Sequence, residues 1–219
     1  MLKGAIFDFD GTLFDSMFIW DTIGETYLRS IGYEPKENLN EVFKTLSLYQ
    51  AAHYYQSEYG VTLSADEIMT GVNNMVERYY REEVIPKPGV IVFLERLRQN
   101  GVKMCIATAT DDYLVRATLE RCQMDRYFSE IFTCNSVGSG KDKPYIYREA
   151  LAHLGAEKAK AIVLEDAVYA LKTAKNDGFV TAAVYDRYEK NQVEVKALSD
   201  FYITDYSAAE NFWKFASAI

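Results

Sequence analysis

The chain alternates short apolar runs with longer stretches in which apolar residues recur every three or four positions. The first run, residues 3 to 8, is short and β-prone and is closed by the turn signal Asp10-Gly11, so it predicts a buried strand. From Asp15 the period changes. Phe18, Ile19, Ile23, Tyr27, Leu28 and Ile31 recur at helical spacing behind the candidate N-cap Asp15-Ser16 and stop at Gly32. Between about Ser16 and Val84 the pattern predicts helix after helix, with breaks near Gly32 to Pro35, Gly60 and Gly71, and the capping box Ser64-x-x-Glu67 opens one of them. Pro86-Lys87-Pro88-Gly89 closes this section as a rigid hinge, and Pro88 suits the first turn of the next helix.

Beyond the hinge, helices and strands take turns. A helix through Val90, Ile91, Phe93, Leu94 and Leu97 ends at Gly101 and leads to a strand, Val102 to Ala107. A helix through Leu114, Val115, Leu119 and Cys122 leads to a strand from Ile131 to Cys134, and a helix from Pro144 to Gly155 leads to a strand from Ala161 to Leu164. A helix ending at Gly178, a strand from Val180 to Val184 and two short terminal helices around a strand near Tyr202 complete the series. Such alternation predicts an α/β fold, a mostly parallel sheet with helices on both faces. Residues 1–15 and 86–219 are expected to form the core domain, and residues 16–85 an all-helical domain inserted after the first strand. A chain of 219 residues can bury the core that this organisation needs.

Composition narrows the partners. With 49% hydrophobic and 14% aromatic residues the chain carries enough apolar surface to fold, which excludes a disordered polymer. A formal net charge of -8 argues against a nucleic-acid backbone or an anionic membrane surface, both of which demand clustered Lys and Arg. Cys105, Cys122 and Cys134 are too few and too scattered for a disulfide framework or a zinc site and read as reduced core thiols. The N-terminus lacks the apolar length of a signal peptide and no segment approaches a membrane span, so the expectation is a cytoplasmic protein, a monomer or weak dimer.

The candidate chemistry lies at the ends of the predicted strands, where open α/β sheets bind ligands. The first strand ends in Asp8-Phe9-Asp10-Gly11, which places Asp8 and Asp10 on the same side of an extended chain. Two anions so close call for a shared proton or a cation between them. The second strand ends in Thr108-Ala109-Thr110 before a helix start, the third is followed by a loop, Asn135 to Lys143, with two lysines, and the fourth ends in Glu165-Asp166. Carboxylates, a hydroxyl and a lysine converging on one edge fit phosphoryl transfer, where catalysis is mostly positioning plus positive charge. A hard divalent cation held by Asp8 and Asp166, with a lysine opposite, would supply that charge. One carboxylate is then free to attack phosphorus, and another, kept protonated, can serve as acid and base. Taken singly, Thr108 also reads as a helix cap, Glu165-Asp166 as a helix N-terminus and either lysine as a solvated side chain.

In this order the motifs resemble those of the haloacid dehalogenase superfamily, in the branch with a helical cap that includes β-phosphoglucomutase-like and phosphoglycolate-phosphatase-like enzymes. The resemblance covers nearly the whole chain: Asp8-Phe9-Asp10-Gly11-Thr12-Leu13 with Asp15-Ser16, then Ile106-Ala107-Thr108-Ala109, then Gly140-Lys141 ahead of Pro144, then Glu165-Asp166. It implies a Mg2+-dependent phosphatase acting on a small phosphorylated metabolite through an aspartyl-phosphate. By the same resemblance Asp8 is the nucleophile and a metal ligand, and Asp10 is the general acid/base, with its carbonyl on the metal. Thr108 and the amide of Ala109 hold phosphate, Lys141 stabilises the phosphoryl charge, and Asp166 with Glu165 completes the metal site. The third motif departs from the family's Lys-Pro-x-Pro, reading Lys141-Asp142-Lys143-Pro144, so Lys143 stays open as the alternative. Ala167 and Ala170 stand where a small polar residue and a glycine are usual.

The resemblance also places the inserted helices over the catalytic edge, where they would exclude water and select the leaving group. Met17, Phe18 and Trp20 are then expected to line the entrance, with Trp20 a candidate substrate contact and Thr45 to Gln50 on a later loop. A β-phosphoglucomutase would show Gly-x-Ser-Arg in that region. This chain reads Lys44-Thr45-Leu46-Ser47-Leu48-Tyr49, without the arginine that grips a second phosphate, which favours a phosphatase over a sugar phosphomutase or a non-catalytic phosphate-binding protein. A true dehalogenase is disfavoured because that branch lacks the acid/base at the position of Asp10. His53, His153 and the insertion's tyrosines (Tyr49, Tyr54, Tyr55, Tyr59, Tyr79 and Tyr80) read as structural packing.

Overall fold

The predicted first strand forms as β1 (Gly4–Phe7) in the computed structural model, which describes residues 1–43 and 46–219. The chain continues through β2 (Phe14–Asp15), α1 (Met17–Trp20), α2 (Ile23–Ser30), α3 (Leu39–Phe43), α4 (Leu48–Tyr59) and α5 (Ala65–Arg78). A π-helical turn (Tyr79–Glu83) and β3 (Ile85–Pro86) close the inserted helices. Then follow α6 (Val90–Gln99), β4 (Lys103–Thr108), α7 (Asp112–Arg121), β5 (Ile131–Thr133), α8 (Cys134–Val137) and α9 (Tyr145–Leu154). The last elements are β6 (Ala161–Glu165), α10 (Val168–Asn176), β7 (Val180–Val184), α11 (Gln192–Leu198), β8 (Phe201–Ile203) and α12 (Glu210–Ala218).

Six strands make one parallel sheet in the order β5-β4-β1-β6-β7-β8. Chain order reverses around β1, which pairs with β4 on one side and β6 on the other, so a crevice opens at their carboxyl ends. Strand alternation gives each face its own core. Ala5 and Phe7 join Phe93, Leu97 and Phe212 on one side, while Ile6, Cys105 and Val163 meet Ile146, Tyr147 and Leu154 on the other. The first core runs on into the inserted helices through Tyr27, Tyr55, Val72 and Val76. Among the described residues, no helix is long and apolar enough to cross a membrane.

Three local expectations change. The helix foreseen from Asp15 to Gly32 is two, α1 and α2, broken at Asp21-Thr22, and Ser16 makes no side-chain cap although it stands at the N-cap of α1. Gly71 does not break a helix: it lies inside α5, where an added Cβ would come within 2.5 Å of the Tyr27 ring, so glycine here permits close helix packing. The hinge is also a pairing element, since Ile85 and Pro86 form an antiparallel ribbon with Asp15 and Phe14. Proline tolerates such an edge position because its missing N–H is not needed there. The cysteines are free, as expected, and burial pushes the Cys105 thiol up to about 12 and that of Cys134 up to about 11.

One surface clamp has a clear pH signature. Asp177, at the end of α10, accepts from Arg148 Nε at 3.1 Å and from Lys158 Nζ at 2.9 Å. The Arg148 hydrogen bond foremost, with Lys158 adding and burial opposing, holds the Asp177 carboxyl below its usual range. A depressed folded pKa stabilises above the unfolded value and is lost as pH falls through the folded one. Asp177→Asn is expected to cost about 1 kcal/mol at pH 7, because the arginine partner is solvent-exposed. Its deficit in thermal melts should begin to shrink below about pH 4, where the unfolded carboxyl protonates, and vanish once pH has fallen through the lower folded value. A pH-independent deficit would assign the effect to packing.

Candidate active site

Asp8 follows β1 directly, its amide donating to the Leu164 carbonyl at 2.9 Å, so the sheet itself holds it at the crevice. Gly11 turns the chain at φ +74, a conformation that costs glycine little. Its amide donates to the Phe14 carbonyl at 2.9 Å, which folds the chain back beside Asp10. Space also demands glycine, since an added Cβ would lie 2.3 Å from Asp166 Oδ2 and 2.9 Å from Met17. Gly11→Ala is expected to destabilise the fold by about 1–3 kcal/mol and to displace the Asp166 carboxylate, a loss readable in thermal melts and turnover together.

Asp8, Glu165 and Asp166, all buried, each offer a carboxylate oxygen, and these atoms lie within 4.8 Å of one another. Lys141 enters this trio. Its ammonium, 4% exposed, donates to Asp8 Oδ1 and, at 2.7 Å, to Glu165 Oε1. Lys143, the alternative, is exposed to solvent. Glu165 Oε1 also accepts from the Tyr147 hydroxyl at 2.7 Å, and Asp166 Oδ1 from Thr12 Oγ1 at 3.2 Å. Burial first, then the Glu165 carboxylate, pushes Asp8 up to about 8 against the pull of Lys141. Burial and Asp8 likewise raise Asp166 well above the carboxylate range. With all three carboxylates ionised, the cluster would carry more negative charge than one lysine offsets, and its hard oxygen donors suit a hard divalent cation.

Asp10 belongs to a different network, and its side chain does not join the trio. Its Oδ1 accepts from Ser16 Oγ and from the Tyr80 hydroxyl, each at 2.6 Å, and its Oδ2 accepts from Thr110 Oγ1 at 2.5 Å. Thr108 ends β4, and its hydroxyl oxygen accepts from the Thr110 amide at 3.1 Å. Among the described residues its own proton meets no protein acceptor, which leaves it for a ligand.

A cavity of about 410 Å³ opens over these groups. Asp8, Asp10, Thr108, Ala109, Lys141, Glu165 and Asp166 line its floor, and Met17, Trp20, Ile23, Leu48, Tyr55 and Val72 of the inserted helices line its walls. The entrance expectation changes at one residue. Phe18 packs edge-on against Tyr79, with centroids 5.9 Å apart, because α1 turns it away from the cavity. Trp20 lines the cavity, and its indole N–H donates to the Tyr80 hydroxyl at 2.7 Å. On the later loop Leu46 and Leu48 line the cavity and Ser47 caps α4 through Gln50, while Thr45 and Lys44 lie outside the described residues.

Ser16 and Tyr80 were missed as site residues. Ser16 carries the signal of a helix cap, and its true partner, six residues back, becomes visible only once Gly11 has folded the chain. Tyr80 reads as one more apolar-face tyrosine. Tyr55 does pack as expected, its hydroxyl donating to the Gly24 carbonyl at 2.6 Å, but Tyr49 is half exposed.

Known proteins resemble the chain in sequence and in fold. A family model described as haloacid dehalogenase-like hydrolase matches residues 5–184. The chain is 24% identical to a phosphorylated carbohydrates phosphatase of Thermotoga maritima over 81% of this chain and 82% of the relative. It is 26% identical to hexitol phosphatase A of Escherichia coli over 75% of this chain and 74% of the relative. The crystal structure of CbbY from Rhodobacter sphaeroides, solved with phosphate, superposes with a TM-score of 0.83 at 21% identity, covering 96% of this chain and 97% of that one, which shows a shared fold.

Proposed function

The chain belongs to the haloacid dehalogenase-like hydrolase family, and we propose that it is a Mg2+-dependent phosphatase that cleaves a small phosphomonoester, a sugar phosphate or similar metabolite, through an aspartyl-phosphate on Asp8. The observation that carries this reading is Lys141 set between Asp8 and Glu165, with Asp166 in the same trio, at the floor of a covered cavity. Two relatives named as phosphatases of carbohydrate or hexitol phosphates support it.

In this reading an Asp8 oxygen attacks phosphorus while the bond from phosphorus to the leaving oxygen breaks. Lys141 stays paired with Asp8 and offsets the charge that gathers on the phosphoryl oxygens, toward which Thr108 and the Ala109 amide turn donors. Asp10 gives its proton to the leaving oxygen. Water then attacks phosphorus and passes a proton to Asp10, the bond to Asp8 breaks, and inorganic phosphate leaves. A divalent cation held by Asp8, Asp166 and the Asp10 carbonyl, with Glu165 beside it, supplies further positive charge to the phosphoryl group when bound. We assign residues 16–85 to the cap and residues 1–15 and 86–219 to the catalytic core, with the β2–β3 ribbon as the joint between them.

A sugar phosphomutase must also grip a second phosphate. Among the described residues Lys141 is the only cationic side chain that lines the cavity, which supports the phosphatase reading. The test is a panel of sugar, polyol and aryl phosphates with Mg2+ or with chelator. The reading predicts phosphate release that needs the cation and falls by roughly 10²-fold or more in Asp10→Asn. Isomer interconversion dependent on a bisphosphate primer would point to a mutase. Ligand binding without turnover, unchanged by Asp8→Asn, would point to a binding protein.

A further inference from the structure

The role proposed for Asp10 leaves open which of its oxygens carries the proton and what aims it. A carboxylate presents about four acceptor sites, two on each oxygen. On Asp10 both sites of Oδ1 are taken, by Ser16 and Tyr80, whereas among the described residues Oδ2 receives only Thr110 and keeps one site open. The direction of the Tyr80 bond follows from chemistry. An indole N–H can only donate, so the Tyr80 oxygen accepts from Trp20 at 2.7 Å and directs its own proton to Asp10.

The backbone of Tyr80 is held as firmly as its hydroxyl. Tyr80 lies in the π-helical turn, where the Val84 amide reaches back to the Tyr79 carbonyl at 2.8 Å. The Tyr80 carbonyl accepts from Thr118 Oγ1 at 2.8 Å and from the Arg121 guanidinium at 3.3 Å, both on α7. Tyr80 is fully buried and stacks on Phe9, with centroids 6.2 Å apart, next to Asp10 in the chain.

We propose that Trp20 and Tyr80 act as one positioning pair that occupies Asp10 Oδ1, so that Oδ2 exchanges the proton with the leaving group and then with water. This rests on the phosphatase reading. The pair touches no reacting atom. It comes from the inserted helices and acts through Asp10, so the insertion tunes proton transfer as well as covering the cavity.

The test is kcat/KM for wild type, Tyr80→Phe, Trp20→Phe and the double variant across phosphomonoesters whose leaving groups run from nitrophenol to simple alcohols. Nitrophenolate leaves without a proton, whereas an alkoxide needs one. Tyr80→Phe is expected to lose about 10- to 100-fold on alkyl esters through kcat, with KM and the nitrophenyl ester little changed. Trp20→Phe, which keeps the phenol, should show the same pattern more weakly, and the double variant should be no worse than Tyr80→Phe, as for residues that act as a unit. Equal losses on every ester, or additive losses in the double variant, would overturn the proposal and leave the phosphatase reading standing. A folded wild type inactive on the whole series would overturn both.

Discussion

Asp8→Asn is expected to lower phosphate release by roughly 10⁴-fold or more while leaving the fold at least as stable as wild type. The first effect follows from removing the proposed nucleophile. The second follows from crowding. Burial, then the Glu165 carboxylate, pushes Asp8 up to about 8, so ionising it costs the folded state. A carboxyl whose folded pKa lies above its unfolded value loses stability as pH rises from about 4 toward 8, because the folded state there binds more protons than the unfolded one. The neutral amide has no such cost. Melts at pH 8 with chelator should therefore place the variant's Tm level with or above that of wild type. A collapsed Tm would make Asp8 chiefly a structural partner of Lys141.

Lys141→Met should behave in the opposite way. It leaves Asp8, Glu165 and Asp166 buried with no cation among them, and breaking such a buried pair costs about 3–5 kcal/mol. Turnover should fall with it, since the charge opposite the phosphoryl group is gone. Added Mg2+ is expected to restore part of the lost Tm but little of the turnover. Lys143→Met, at an exposed position, should leave both at wild-type values. Equal effects at the two lysines would remove the assignment of Lys141. The opposite stability effects of Asp8→Asn and Lys141→Met separate a charge-crowded reaction centre from a simple polar core.

Most of the core was legible in the sequence because strands buried on both faces are apolar throughout and end abruptly. Asp8, Thr108 and Asp166 could be brought to one edge for that reason: each sits where an apolar run stops, and the parallel topology gathers those ends, whereas the preference for Lys141 over Lys143 came from the family resemblance. Long-range partners left weaker traces. Tyr80 reaches Asp10 across 70 positions of sequence, and its π-helical turn carries no residue signal that separates it from an ordinary helix end. Ser16 carried a misleading one, since hydroxyl residues before a helix usually cap it. The break between α1 and α2 fell inside an apolar period that continued across it, so the pattern could not mark it. Gly71 looked like a helix breaker because composition does not record that the Tyr27 ring lies against it.

On this mechanism a phosphoryl group passes through Asp8. The most direct measurement mixes enzyme, Mg2+ and a turned-over phosphomonoester, quenches in acid and weighs the peptide that contains Asp8. Added mass equal to one phosphoryl group is expected on that peptide, more of it in Asp10→Asn, which lacks the base that activates water, and none in Asp8→Asn. A phosphoryl group on another residue, or undiminished phosphate release from Asp8→Asn, would contradict it.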